Sequence, residues 1–347
     1  MSMMRIGVIG SGNISMTHVR AVDGLRAAAV VAVYGRTLER ARELAATVGA
    51  APSNTLETFF ASAEMDMVAI GTPSGLHGEH GAAAASRGLH VLVEKPLEIT
   101  TERADRLIAA AAAAGVTLGV IFQDRLKPAV RELKALVDGA ALGTSIVASA
   151  RVPWYRPPEY YGDSDWRGTR ALDGGGALIN QAIHTVDLLL WLCGPVSRVF
   201  GRTATRFHTI DVEDTAVASL EFASGAIGTI EATTAAWPGR PRRIDITGSN
   251  GMAILEGDDL IAVDLRGDGR RRGDRAAAAT RAENAASPVV SDAGPHRAVF
   301  EDFIRAVSRG ERPSCDGREG RRSVELVEAI YRSARSGCAV EIPSSRR

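Results

Sequence analysis

Between residues 5 and 122 short, uninterrupted apolar runs alternate with longer stretches of helical periodicity. "RIGVIG" (5–10), "VVAVYG" (30–35), "DMVAIG" (66–71), "HVLVEK" (90–95) and "TLGVIF" (117–122) read as strands. "LERARELAATVG" (38–49), "EHGAAAASRG" (79–88) and "ERADRLIAAAAAAG" (102–115) read as helices, the last closed by a glycine suited to a helix C-cap. Strands apolar on both faces and alternating with helices predict a parallel sheet covered on both sides. The alanine runs lose little side-chain entropy on ordering, so they are read as helix rather than low-complexity sequence.

After residue 123 the rhythm changes. A helix, "KPAVRELKALVDGAALG", leads into the alternating strand "TSIVASARVPW", and "GGGALINQAIHTVDLLLWLCG" (174–194) predicts one long amphipathic helix. "DTAVASLEF", "GAIGTIEATTAAW", "RRIDITGS" and "MAILEG" then follow with little helix between them, joined by turns such as "GSNG", which predicts antiparallel pairing. Residues 266–294, rich in Arg, Ala, Gly, Asp and Ser, read as a mobile surface loop, and helices are expected over 296–309 and 321–336. No internal repeat is present. The expected fold is an α/β chain: a Rossmann dinucleotide-binding domain over 1–122, then an α+β domain over 123–347 with a largely antiparallel open sheet.

Composition narrows the function. Lys plus Arg and Asp plus Glu both number 41 in the 347 residues, so no charge imbalance points to nucleic acid or to acidic membranes. Apolar residues make up 45%, yet no run is long enough to span a bilayer. The strand pattern begins almost at the N-terminus and leaves no room for a signal peptide, so a cytoplasmic location is expected. Cys193, Cys315 and Cys338 show no metal-ligand spacing, no metal is expected, and Cys193 reads as a small core residue.

The first chemical motif is "VIGSGNIS" (8–15). Gly10 permits a tight turn, Gly12 lets backbone approach a pyrophosphate, and Ser15 is small enough for helix–strand packing. The helix beginning at Asn13 and Ile14 offers N–H groups and a positive dipole end to the phosphates. At the end of the second strand, where NAD-binding chains carry an acid, stand Gly35, Arg36 and Thr37. A guanidinium and a hydroxyl suit a 2′-phosphate, so NADP is favoured, with NAD as the alternative. "IGTPSGLHGEH", which contributes Thr72, Pro73 and His77, lies at a strand's C-terminal end, where such folds bind ligands.

With "TPSGLH", "VEKP" and "DGGGALINQAIHTVDLL" (173–189) in order after the glycine fingerprint, the chain resembles the Gfo/Idh/MocA oxidoreductases over almost its whole length. The resemblance implies an NAD(P)-dependent enzyme acting on a secondary alcohol of a sugar, sugar derivative, glycoside or cyclic polyol. A non-sugar carbonyl or dihydrodiol reductase, and a non-catalytic NAD(P)-binding sensor, are the other readings it allows. It places Lys95, Asn180 and His184 at the nicotinamide, Asn180 standing where the family pattern has Asp. The i, i+4 spacing of Asn180 and His184 predicts one helix face. Asn cannot accept a proton, which leaves Lys95 and His184 as the ionisable pair.

A lysine just past a buried strand is partly desolvated, which favours the neutral amine and makes Lys95 a candidate general base. Pro96 resembles the family's cis-bonded proline. Glu94 is expected to contact the cofactor or to steady Lys95, Asp187 is expected to be structural, and His18 and His80 structural or on the surface. The aromatic and Arg-rich stretch 154–176 suits sugar rings and hydroxyls. The resemblance places its "YY…WRGT" beside the site, making Tyr161, Trp166 and Arg167 substrate candidates. A homodimer or homotetramer is expected through a partly apolar sheet face.

Overall fold

The computed structural model describes residues 3–267 and 292–343. They form two compact units, the first running to Gln123 and resuming from 292 to Arg321, the second taking the rest.

In the first unit, strands β1 (Met4–Ile9), β2 (Ala28–Tyr34), β3 (Ala51–Ser53), β4 (Met67–Ile70), β5 (His90–Glu94) and β6 (Leu118–Ile121) form one sheet in the order β3-β2-β1-β4-β5-β6. All pairs are parallel. The connecting helices are α1 (Asn13–Asp23), α2 (Leu38–Ala46), α3 (Leu56–Ser62), α4 (His77–Ala85) and α5 (Thr101–Ala113). Every residue of β4 is buried, as its unbroken apolar run requires. Helix α5 starts at Thr100, whose hydroxyl accepts from Arg103 N–H, and is followed by Gly115 with φ +66°, in the left-handed region. Because the strands are parallel, their C-terminal ends share one edge. The strand order reverses between β1 and β4, the place where such sheets bind ligands.

The second unit contains α6 (Pro128–Asp138), β7 (Ser145–Pro153), the short α7 (Glu159–Gly162), α8 (Ile183–Cys193) and strands β8 (Val196–Ala204), β9 (Thr215–Phe222), β10 (Ile227–Thr233), β11 (Arg243–Gly248), β12 (Gly251–Glu256) and β13 (Asp259–Leu265). Helix α9 (Gly294–Arg309) belongs to the first unit, α10 (Gly317–Ser336) runs from the first into the second, and β14 (Val340–Glu341) closes the second sheet. Its eight strands lie in the order β13-β12-β11-β7-β10-β9-β8-β14. Only the β7–β10 pair is parallel among them. On β9 buried and exposed residues alternate, with Ala216, Ala218, Leu220 and Phe222 inward.

Three expectations change. The predicted helix over 174–194 is two pieces: a π-helical turn at Ala177–Gln181 and then α8, which is buried almost throughout rather than amphipathic. A single cut at 122/123 misses the return of α9 to the first unit, where Val299, Phe300, Phe303 and Ala306 are buried. Gly119 on β6 makes room for it, since a Cβ there would lie 2.6 Å from the Phe303 ring. Cys193 is half-buried rather than core. The Arg-rich loop expected over 266–294 falls mostly on 268–291, outside the described residues.

Candidate active site

Gly10 has φ +124°, and a Cβ there would sit 2.6 Å from Ser15 Oγ and 2.7 Å from the Gly71 carbonyl, so only glycine fits. Gly12, by contrast, has open space where a Cβ would go and is exposed. It caps α1 without a side-chain hydrogen bond, so the first N–H groups of the helix, at Asn13 and Ile14, are left for an anionic guest. Ser15 is fully buried and its hydroxyl donates to the Gly71 carbonyl at 3.4 Å, so the small third position does pack helix against strand. This cradle fits a dinucleotide pyrophosphate. Arg36 and Thr37 follow β2 and are exposed, and Thr72 and Pro73 follow β4. These positions and Lys95 all lie at the same edge of the parallel sheet.

At the end of β5, Glu94 is 4% exposed and Lys95 half-buried, and the Lys95–Pro96 bond is cis. Glu94 Oε1 accepts from His18 Nε2 at 3.0 Å and faces His296 Nε2 at 3.3 Å, while Oε2 accepts the Lys95 backbone N–H at 3.0 Å. The two imidazoles hold the Glu94 carboxyl well below the usual carboxylate range despite the opposing effect of burial. An ionised carboxylate can only accept, so each histidine carries its proton on Nε2. These three side chains are the one group among the described residues whose His and acid atoms could surround a metal ion, all within 4.8 Å. Hydrogen bonding accounts for their approach. Glu94 is thus committed to the protein and steadies Lys95.

His77 also turns inward. It is 1% exposed, with Nδ1 2.8 Å from the Pro96 carbonyl and Nε2 3.0 Å from the Thr72 carbonyl. It ties the loop after β4 to the "EKP" turn. Glu98 adds a second tie by accepting from Gly78 N–H and from Arg103. His80 Nδ1 lies 3.1 Å from Thr72 Oγ1, and burial, reinforced by His77, pushes its pKa down to about 4.

These histidines set a pH dependence. Burial lowers the pKa of His18, His77 and His80, so they stay neutral in the fold where an unfolded chain would protonate near 6.5. Between about pH 6.5 and about pH 4 the unfolded state binds more protons, so stability falls as pH falls across that window. The urea midpoint is expected to drop from pH 7 to pH 5, and His80→Gln should make the drop shallower. Equal midpoints at the two pH values would contradict this origin.

In the second unit the glycine run is a close-approach device. A Cβ on Gly176 would lie 1.9 Å from the Glu213 carbonyl, and one on Gly175 would lie 2.2 Å from Tyr331 Oη. The Glu213 carboxyl accepts from Gly176 N–H (3.0 Å), Leu178 N–H (2.8 Å) and Tyr331 Oη–H (2.8 Å). The π turn so held carries Asn180, whose amide donates to Asp173. His184 lies beyond the junction at Ala182, so the two residues do not share one regular helix face. His184 is half-buried with Nδ1 4.0 Å from Asp124 Oδ2. Asp124 also pairs with Arg242 and with Lys127 at 2.7 Å, and these cations hold its carboxyl far below the carboxylate range against the burial penalty. Asp187 is structural: it takes a bidentate bond from Arg125 at 2.7 and 2.6 Å.

Among the substrate candidates, Trp166 and Arg167 are half-buried and stacked, with the guanidinium 5.2 Å from the indole centre. Tyr161 is a core residue, 7% exposed, its hydroxyl directed to Thr234. Its neighbour Tyr160 instead meets Gln181, Arg156 and Arg167. Sequence reasoning missed Asp124, Arg156, Tyr160, Gln181, Glu213 and His296. Only Arg156 and Tyr160 sat in a stretch whose composition drew notice.

The model of an oxidoreductase family with an NAD-binding Rossmann fold matches residues 4–122, and that of the GFO/IDH/MocA C-terminal domain matches 130–254. The chain belongs to this family. Its structure is similar to that of the WlbA dehydrogenase from Bordetella pertussis, solved in complex with NADH and UDP-GlcNAcA, at 33% identity with a TM-score of 0.86, over 99% of this chain and 100% of that one. It is 29% identical to D-xylose 1-dehydrogenase (NADP(+)) 2 of Haloferax volcanii over 98% of this chain and all of that protein. With the inositol 2-dehydrogenase of Rhizobium meliloti it shares 26% identity over 95% of this chain and 96% of the relative. The family member described here is therefore an oxidoreductase with an NAD-binding Rossmann unit and a second, mostly antiparallel unit. Among its described residues no helix is long and apolar enough to cross a membrane.

Proposed function

We propose that this oxidoreductase transfers hydride between a nicotinamide dinucleotide and a secondary alcohol of a sugar, sugar derivative, glycoside or cyclic polyol. The observation that carries the reading is the sheet edge where the Gly10–Gly12 cradle and Lys95 emerge together. Relatives named for xylose and inositol support the substrate class. When bound, the cofactor supplies a ring that accepts hydride from the carbinol carbon or returns it.

The chain's own residues do the rest. The N–H groups at Gly12, Asn13 and Ile14 bind pyrophosphate, and Thr72 and Pro73 line the same edge. Lys95 Nζ takes the hydroxyl proton as hydride leaves, and gives it back in reduction. His184 donates to or accepts from the same oxygen, and Asn180 orients the substrate without titrating. Trp166 offers an apolar face to a ring. A panel of sugars, inositols and glycosides, followed by absorbance of the reduced nicotinamide, tests the reading. No reduction with any alcohol and either cofactor would sink it.

The preferred cofactor in this proposal is NADP, through Arg36 and Thr37. Gly35→Asp is a poor test, because a Cβ there would lie 2.3 Å from Ser11 Oγ. Arg36→Ala is cleaner. It is expected to weaken NADP binding about ten- to hundredfold, the worth of a charged hydrogen bond, with little change for NAD. Calorimetry showing NAD bound much more tightly than NADP by the wild type would overturn the preference.

The proposal also includes a homodimer or homotetramer in the cytoplasm. Val147, Phe200, Val217 and Ile227 are exposed apolar residues on strands β7 to β10, the face this assembly would bury between copies. Val217→Asp with Ile227→Asp should shift the light-scattering mass to that of a monomer. A wild-type monomer at micromolar concentration would refute assembly. The three cysteines are free thiols, as suits a reducing compartment.

A further inference from the structure

One side-chain group in the second unit places two guanidiniums on a single tyrosine ring. Arg156 is 3% exposed, with Nε donating to Gln181 Oε1 at 3.0 Å and Nη1 to the Tyr155 carbonyl at 3.0 Å. Its guanidinium lies 5.1 Å from the Trp154 ring centre and 5.6 Å from that of Tyr160. Arg167 lies on Tyr160 as well, at 4.6 Å, and its Nε is buried with no hydrogen-bond partner among the described residues. Gln181 donates to Tyr160 Oη at 2.8 Å and to Asn180 Oδ1 at 3.0 Å, so the two arginines and Asn180 belong to one network.

The acid hydrogen-bonded into this network is Asp173, and it is occupied: Oδ1 accepts from Asn180 and Oδ2 from Gly168 N–H at 2.8 Å. The network also holds two guanidiniums, those of Arg156 and Arg167. Their mutual repulsion adds to burial in lowering the Arg156 pKa. Position 180 of the same network is a neutral asparagine. A buried guanidinium donor with nothing to donate to is costly unless a ligand brings an acceptor.

We propose that the substrate is an acidic sugar, and that Arg167, held on Tyr160 and backed by Arg156, receives its carboxylate. A carboxylate is planar and matches the guanidinium fork. A phosphate would bring up to two charges and a tetrahedral shape. This inference rests on the sugar-oxidoreductase reading above.

The test compares matched substrates on the cofactor-loaded protein: D-glucose, D-glucuronate and glucose 6-phosphate, and a methyl glucoside with its methyl glucuronide. Turnover is measured together with calorimetric binding. Expected is a preference of about ten- to hundredfold in kcat/KM for the uronate over its neutral partner, the worth of a charge-assisted contact. Arg167→Met should erase most of that preference, in KM and in calorimetric affinity more than in kcat, and Arg167→Lys should restore part of it. Circular dichroism and melting of both variants establish that they fold.

Neutral sugars turned over as well as uronates would overturn the proposal and leave the oxidoreductase reading intact. So would a preference for the phosphate, or a preference that survives in Arg167→Met. No turnover or binding of any member would overturn both.

Discussion

Replacing Lys95 by alanine is expected to lower kcat/KM by about a hundred- to ten-thousandfold, the usual loss when a general acid–base group is removed. Cofactor affinity should survive, because in the proposed reading the phosphates meet Gly10, Gly12 and the start of α1, which Lys95 does not build. The position is prepared by its neighbours. Glu94 anchors the Lys95 backbone N–H, and His18 and His296 anchor Glu94. His77 holds the carbonyl of the following proline. The pH–rate curve for kcat/KM should lose one ionisation in Lys95→Ala and keep its shape in Asn180→Ala, since asparagine does not titrate. Near-wild-type turnover of Lys95→Ala with a real substrate would remove the proton-transfer assignment.

The largest stability effect is expected at Asp187. Arg125 and Asp187 are 3% and 1% exposed, and they meet through two short hydrogen bonds, with Ser323 Oγ donating to Asp187 at 3.3 Å. Asp187→Ala leaves a guanidinium buried without its counter-ion, which costs about 3–5 kcal/mol. In the melting curve that is a fall on the order of 10 °C. Replacing both partners by methionine and leucine should recover much of the loss, because the pair's attraction mainly offsets its own desolvation. If Asp187→Ala melts with the wild type, the pair is not a fixed part of the fold.

The parallel sheet was legible because β1, β2, β4, β5 and β6 are buried on both faces and so are written as unbroken apolar runs. The three-residue β3 and the seven-residue α3 are too short to leave a period. Strand β8 alternates only past a register shift after Val196, with Val199 and Gly201 inward, and its Arg residues masked the pattern. The π turn at 177–181 is fixed by a remote partner, Glu213, and periodicity cannot show a remote partner.

The candidate site divides the same way. Gly10 was readable because its φ of +124° and its close contacts with Ser15 and Gly71 dictate glycine. The partners that hold Glu94 and His77, His296 and the Pro96 carbonyl, lie 202 and 19 residues away in the chain and leave no local signal. Tyr161 and Tyr160 are adjacent in a short helix, and composition alone could not say which of the two turns into the core.

The central claim is direct hydride transfer between a sugar carbinol carbon and the nicotinamide. The measurement is the fate of deuterium. The best substrate of the panel is labelled at the oxidised carbon, and the reduced cofactor is isolated and analysed by mass spectrometry and NMR. One deuterium at C4 of the nicotinamide ring, with a slowed rate for the labelled substrate, is the result expected. Reduced cofactor without deuterium, or oxidised sugar with no reduced cofactor, would contradict the account.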